Sequence, residues 1–434
     1  MYKYLSFLFL IYCLPIQAEN LLELYELAEQ NDPQLKIANS ERLITAQQKP
    51  QAQAPLLPQI SLNANAVENW NSNSGSNTEN STIGYNASLS YALYRRNLNI
   101  QLKQVDGKIN QAEANYETAK QDLIKRLADS YFAILASSDN VEFAIGAKKA
   151  FQQQLKDATQ RFDVGMIAIT DVQEAQAGYD IAVADVIAAQ NRLDNSFETL
   201  RAITGSYHSI LATLKNKAPI MEPNSSDLDV WTEVALQQNP QILAIQQALE
   251  VASQEVVKQR AANYPTLDLV GNYNHSDSIR GDENPQSNNI KGASVGLQLQ
   301  YSLYSGGLVQ ARIKEAQQRR IQTIERLEQQ RRIVQMQTRQ AFLNLVSNIS
   351  KIKALQQALK STKTALKAIQ TGFDLGTRTS VDVVNAQRDL LRAQSNHSTA
   401  RYDYVISTFQ LKQAVGMLGL DDLKIVNGWL VQDS

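Results

Sequence analysis

Apolar and small polar residues alternate one for one along four short stretches of this chain. In one, Ile83, Tyr85, Ala87, Leu89, Tyr91 and Leu93 are interleaved with Thr82, Gly84, Asn86, Ser88 and Ser90. In another, Val295, Leu297, Leu299, Tyr301 and Leu303 are interleaved with Ser294, Gly296, Gln298, Gln300 and Ser302. Shorter partners carry Ile60, Leu62, Ala64 and Ala66, and Leu267, Leu269, Gly271 and Tyr273. Successive side chains of a strand point to opposite faces, so this period of two predicts strands at about 59–69, 82–94, 266–275 and 292–304, each with one apolar and one polar face. The connections Asn69 to Ser81 and Asn274 to Asn289 are rich in Asn and Ser and read as long polar loops.

Elsewhere the period is helical. From Leu98 to Phe162 and from Leu308 to Phe373 no proline interrupts the pattern, which predicts two helices of roughly 65 residues, each about 100 Å long. Leu102, Val105, Ile109, Ala112, Tyr116, Ala119 and Leu123 recur at the three-and-four spacing of coiled-coil packing. Each long helix ends at a glycine, Gly165 or Gly376, suited to the left-handed residue that stops a helix. Return helices are expected at about 170–204 and 380–417. Thr170 with Gln173 offers a capping box for the first, and Thr379 or Ser380 a cap for the second.

These elements occur twice. Phe162-Asp163-Val164-Gly165, with Asp171-Val172 and Ala175-Gln176, returns at an offset of about 211 residues as Phe373-Asp374-Leu375-Gly376, Asp382-Val383 and Ala386-Gln387. Tyr91-Ala92-Leu93-Tyr94 with Leu98 matches Tyr301-Ser302-Leu303-Tyr304 with Leu308; Asp32-Pro33-Gln34 matches Asn239-Pro240-Gln241; Pro58 matches Pro265 and Gly205 matches Gly416. The chain therefore reads as a signal peptide, 1–18, and two structural repeats, 19–226 and 227–434, meeting at the polar linker around Ser225-Ser226.

The signal reading rests on Lys3, the apolar run Leu5 to Leu14 and the small residue Ala18, and puts the mature start at Glu19. The only cysteine, Cys13, lies in that segment, so no disulfide is expected. Beyond it no apolar run approaches the roughly 20 residues of a spanning helix, so a membrane crossing would use strands. The runs are near the roughly 9 to 11 residues of a tilted membrane strand, with Trp70, Tyr91, Tyr94, Tyr264, Tyr301 and Tyr304 at or near their ends. Alternation alone fits equally a sheet on a soluble core; the polar connections favour the barrel. Membrane barrels use about eight strands at least, and unpaired edges in lipid leave backbone groups unsatisfied, so four strands imply oligomerisation into 8 or 12.

Composition narrows the chemistry. Scarce Gly and Pro suit long helices, and 42 basic against 43 acidic residues give no basic excess for a nucleic-acid partner. No H-E-x-x-H, P-loop, G-x-S-x-G or paired cysteines occur, so neither an enzyme nor a cofactor is implied. His208, His275 and His397 fall in a helix-end linker, an outer loop and a helix face and share no metal-ligand spacing; they read as surface or belt residues.

The landmarks resemble the outer-membrane efflux protein family across essentially the whole mature chain: Glu19-Asn20-Leu21, Pro55-Leu56-Leu57-Pro58-Gln59, Arg161 to Gly165 through Ala168 to Gln173, Pro265 to Leu269, and Gly376 to Thr379 through Val381-Asp382-Val383. The resemblance implies an α+β membrane protein: a homotrimer whose 12-stranded outer-membrane β-barrel, four strands per protomer, continues into a long periplasmic α-helical barrel, with a belt of short helices and the C-terminal segment. It implies outer-membrane lipid, a periplasmic adaptor and an inner-membrane transporter of RND, ABC or MFS type as partners, and export of cargo by efflux or type I secretion.

It also assigns roles. Thr170, Asp171, Phe373 and Arg378 fall at the periplasmic gate, with Asp171 and Arg378 as latch; Asp382 and Asn385 fall at the constriction, where three Asp382 carboxylates would form a cation-binding, proton-sensitive ring. Val164, Gly165, Leu375 and Gly376 fall at the tips that receive the adaptor. Phe373 stands where the family has a tyrosine and Asn385 where it has an acid, so a looser latch and weaker cation block are expected. Read without the resemblance, each gate residue is a solvated charge or cap at a helix end. The alternative function is a structural tether or an ungated passive pore; an adaptor would share the helical hairpins but give no reason for the strands.

Overall fold

The computed structural model describes residues 18–73, 76–215, 218–223, 225, 227–280 and 289–431. The expected signal segment through residue 17, Ser226 of the linker, and residues 74–75 and 281–288 of the polar connections lie outside the described residues. In chain order the elements are α1 (Leu21–Asn31), α2 (Pro33–Gln53), β1 (Gln59–Asn73), β2 (Ser76–Tyr94), α3 (Arg96–Asp163), α4 (Ile169–Thr204), β3 (Thr213–Leu214), α5 (Leu228–Gln238), α6 (Pro240–Arg260), β4 (Thr266–Arg280), β5 (Asn289–Gln300), α7 (Leu308–Asp374), α8 (Ser380–Val415), α9 (Leu420–Asn427) and β6 (Leu430–Val431).

The duplication is visible in helix lengths. The short helices α1 and α5 have 11 residues each and α2 and α6 have 21. The long helices α3 and α7 have 68 and 67, and the return helices α4 and α8 have 36 each. The breaks match as well. Asp32 and Asn239, the residues before Pro33 and Pro240, are extended C-caps with ψ of 121° and 122°, because a following proline disfavours the helical conformation. Gly205 and Gly416 close α4 and α8 in the left-handed region, at φ of 76° and 87°.

The chain forms two compact units. One comprises Ala38–Glu117 and Pro240–Arg332 and contains an antiparallel sheet in the order β1-β2-β4-β5. Residues directly opposite in such a sheet share a face, and the register aligns Ile60, Leu89, Gly271 and Val295 in one row and Leu62, Ala87, Tyr273 and Ala293 in the next. The adjoining rows align Ser61, Ser88, Asn272 and Ser294, and Asn63, Asn86, Asn274 and Gly292. All four strands thus pool most of their apolar positions on one face, where Ile60 and Val295 are each 78% exposed and Leu297 is 67% exposed. At the end of the sheet that leads into α3, the Arg95 guanidinium makes a two-pronged ion pair with the buried carboxylate of Asp268 in β4, both contacts at 2.7 Å.

Three expectations about the strands are corrected. The stretch Asn69 to Ser81 is not a long loop: β1 and β2 stay paired as far as Asn73 opposite Ser76, because ladder bonds are made by backbone and do not require apolar side chains. Likewise β4 runs on to Arg280 through part of the second expected loop, carrying His275 within a strand, its ring 4.9 Å from that of Tyr85 and its Nε2 3.0 Å from Asp277. At the other end β5 stops at Gln300 rather than 304, and Gly306 and Gly307, with φ of 62° and 83°, turn the chain into α7.

The other unit comprises the described residues through Ile37, Thr118–Asn239 and Ile333 onward. Phe151 of α3, Ala182 of α4 and Val384 of α8 pack in one buried cluster, and Val141, Ala144 and Ala189 in a second. A small belt sheet pairs β3 with β6, and Glu19 is bridged to Leu211 beside it. Of the two readings offered for His208, surface or belt, the belt one fits: its side chain is 1% exposed, with Nδ1 2.5 Å from Glu19 and Nε2 2.7 Å from the Thr204 hydroxyl.

The buried Asp32 carboxylate is a second anchor of this unit. It accepts hydrogen bonds from Arg126 at 2.9 and 3.0 Å and from the Leu35 amide at 2.7 Å. Burial pushes its pKa up, but the Arg126 bonds, the amides of Leu35 and Gln34 and the Arg126 charge outweigh it and hold the carboxyl below its ordinary 3.8. A depressed carboxyl adds stability that is complete above the unfolded-state pKa and is lost as pH falls through the folded value. Arg126→Met leaves that carboxylate buried without its cation, and we expect a loss of about 2 kcal/mol at neutral pH. Acid unfolding followed by circular dichroism should begin at a higher pH in the variant than in the wild type.

Candidate functional site

The residues singled out by sequence lie at the two turns where the long helices reverse. Both turns are built alike. At the first, Gly165 donates its amide to Phe162 O at 2.8 Å and Met166 donates to Arg161 O at 2.9 Å; at the second, Gly376 donates to Phe373 O at 3.0 Å and Thr377 to Gly372 O at 2.8 Å. These are the paired bonds of a Schellman stop, which needs a left-handed residue, and Gly165 and Gly376 supply it at φ of 74° and 77°. The turns raise Val164 and Leu375 into solvent, 70% and 74% exposed, beside exposed Met166 and Ile169. Apart from the adjoining residues, no atom lies within 4 Å of where a Cβ would stand on Gly165 or Gly376, so both tips are open.

The return helices begin with carboxylate caps. In α8, Thr379 rather than Ser380 is the N-cap: its hydroxyl accepts from the Asp382 amide at 3.2 Å, and Asp382 accepts from the Thr379 amide at 2.9 Å and hydroxyl at 3.0 Å. Those Thr379 bonds, backbone first, and the charge of Arg378 outweigh slight desolvation and hold the Asp382 carboxyl below its ordinary 3.8. In α4 the expected capping box of Thr170 with Gln173 does not form. The helix starts one residue earlier, at Ile169 after the N-cap Ala168, and Asp171 is the acid that accepts from the Ala168 amide, at 3.2 Å. Alanine has no side-chain acceptor to offer in return, so only half a box forms. Thr170 is exposed on the first turn of α4, and Asn385 is exposed one turn beyond Asp382.

The structure gathers Phe373, Arg378 and Asp382 at one tip and Thr170 and Asp171 at the other. Among the described residues no ion pair joins Asp171 to Arg378 within one chain. Arg378 is exposed and folds back along the end of α7, its Cγ 2.8 Å from where a Cβ would stand on Gly372. At these tips, two ties between the repeats were not expected from the sequence. The Gln154 amide of α3 donates to Ser380 Oγ at 2.9 Å and Ser380 O at 3.2 Å. Arg161 of α3 lies over the Phe373 ring, 4.7 Å from its centroid, and its Nη2 is 3.3 Å from Asp374 Oδ1. Laying one repeat on the other carries a signal for the second tie, since Arg161 in the first is Gly372 in the second.

Comparison with known proteins bears on the whole chain. The sequence profile of the outer membrane efflux protein family matches it twice, over residues 24–206 and 231–417. The outer membrane protein TolC of Vibrio cholerae is 36% identical over 419 residues, covering 96% of this chain and 94% of that one. The alkaline protease secretion protein AprF of Pseudomonas aeruginosa is 28% identical, covering 94% and 87%. Among solved structures, the CmeC outer membrane channel of Campylobacter jejuni superposes with a TM-score of 0.76 at 17% identity, over 95% of this chain and 90% of that one. With the profile matched once by each repeat and more than a third of residues shared with a relative along nearly its full length, this chain belongs to the outer membrane efflux protein family.

Proposed function

We propose that three copies of this chain form one gated duct in the outer membrane, which takes cargo from an inner-membrane transporter through a periplasmic adaptor. The observation that carries this reading is the sheet register. One face pools Ile60, Leu62, Leu89, Tyr273, Val295, Leu297 and Leu299, fit for lipid; the other pools Ser61, Asn63, Ser88, Asn272 and Ser294, fit for water. Among the described residues, the edge strands β1 and β5 have no partner on one side within the sheet of a single copy. In hydrocarbon those backbone groups need partners, and joining edge to edge among copies provides them.

At the helical tips, Asp171 keeps acceptor capacity beyond its single cap bond, and the exposed Arg378 reaches it between adjacent copies as a latch. An exposed ion pair contributes only about 0 to 1 kcal/mol, so adaptor binding suffices to release it. Asp382, whose charged form the Thr379 cap favours, forms with its two copies the carboxylate ring that attracts cations. The open, apolar-flanked glycines of the tips are the adaptor's seat. The exported cargo is small molecules or, as the name of the secretion relative suggests, protein.

In planar bilayers we expect a small wild-type conductance that rises several-fold in Arg378→Ser. A channel that is wide from the start and indifferent to that change would instead mark a passive pore, and no channel at all a tether. Block by a trivalent cation should weaken in Asp382→Ala. Like charges of the other two copies oppose the lowering that the cap gives each carboxyl, so block should weaken as pH falls toward and through the ordinary carboxylate range; block that does not change between about pH 7 and about pH 4 would remove Asp382 from the constriction. A β-branched residue is strained at positive φ by about 1 to 2 kcal/mol and fills the open tip, so Gly376→Val should reduce export in cells while leaving the amount of trimer in the outer membrane unchanged.

A further inference from the structure

We infer that Arg161 is the clamp that holds the two helical tips of one protomer together, and that it supplies through its guanidinium the restraint on position 373 that a phenylalanine cannot make with a hydroxyl. The inference rests on the gated-duct reading above. Its basis is geometric. The guanidinium engages two consecutive residues of the other repeat at once, stacking on the Phe373 ring at 4.7 Å and pairing with Asp374 at 3.3 Å. A planar cation can present its face to the ring and an edge to the carboxylate together, whereas either contact alone is weak at a half-exposed site. Both ends are fixed by the backbone. Arg161 O accepts the closing bond of the first Schellman turn, and Phe373 O accepts a bond in the second. The clamp therefore joins turn to turn, and a shift of one tip relative to the other must break it.

The duplication shows why only one arginine does this. Position 372, the counterpart of 161, is glycine, and a Cβ there would stand 2.8 Å from Arg378 Cγ and 3.1 Å from Thr377 Oγ1. The second repeat has no side chain at this position, and Arg378 takes that space against the end of α7. The two tips are thus complementary halves: the first reaches across to grip, and the second is hollowed to seat the exposed latch base. On this view Arg161 is a positioning residue, acting on the latch by fixing the tip that carries Arg378.

The test is resting single-channel conductance of purified trimers of Arg161→Ala, Arg161→Lys, Arg161→Glu and the exchange pair Arg161→Glu with Asp374→Arg, with Arg378→Ser as reference. Trimer retention is checked by gel filtration, and only variants that remain trimeric are recorded. Loss of both weak contacts shifts the resting population toward the open tip, so the time-averaged resting conductance of Arg161→Ala should rise between about threefold and tenfold. Arg161→Lys, which keeps the charge but not the flat face, should fall between it and the wild type. Arg161→Glu should be the most open, and the exchange pair should return part of the way, a rescue that general loosening of the helix would not give. Conductance unchanged or lowered in Arg161→Ala while Arg378→Ser rises overturns the clamp and leaves the gated duct standing, as does an exchange pair no more closed than Arg161→Glu. If neither Arg161→Ala nor Arg378→Ser raises conductance, clamp and gate both fall.

Discussion

Backbone hydrogen bonding in hydrocarbon is the constraint on which the rest of this molecule depends. A sheet of four strands with its apolar positions pooled on one face has a use for lipid on that face, but its two outer strands bring unpaired amides and carbonyls with them. Each such group costs several kcal/mol where water is absent. No rearrangement within one copy closes four strands into a barrel of workable size. Assembly is therefore set by the backbone of β1 and β5 before any side chain specifies a partner, and side-chain chemistry is left free to build the tips.

The architecture was legible because its signals are repeated and long. Alternation over Ile83 to Leu93 gives the strand and its faces; proline-free helical periodicity gives α3 and α7; and the recurrence of Phe-Asp-x-Gly gives the duplication that helix lengths and cap geometry bear out. Strand ends were less legible. Asn and Ser between strands have turn chemistry in isolation, yet residues through Asn73 and Arg280 remain in strands because an existing ladder extends wherever backbone partners are in register. Conversely, Tyr301 to Tyr304 continue the alternation after the strand has ended, because two left-handed glycines just beyond redirect the chain.

The candidate site divides in the same way. Gly165, Gly376 and the Thr379–Asp382 box are local features, readable from a few consecutive residues and found in the geometry such residues dictate. What the sequence did not reveal are contacts between distant segments: Arg161 with Phe373 and Asp374, Gln154 with Ser380, His208 with Glu19. Spacing along one helix cannot announce a partner more than 180 residues away. The misplaced cap at Thr170 has a different cause: either Ala168 or Thr170 could begin α4, and Asp171 decided the matter by turning its carboxylate back to the Ala168 amide.

The belt joins parts of the chain that are synthesised far apart. Glu19 donates to Ile210 O and accepts from the Ala212 amide, and the adjacent Thr213 and Leu214 pair with Val431 and Leu430. The first described residues, the middle and the last thus converge on one small patch of backbone. Such distant pairings pay a large loop-closure entropy before they return any stability. The helical hairpins can condense locally and early, whereas the belt can close only after nearly the whole chain has emerged. A protomer with its helices formed but this seam still open is an intermediate with loose ends, and keeping it from pairing wrongly with other copies during export is a kinetic burden that the duplicated fold carries in return for its length.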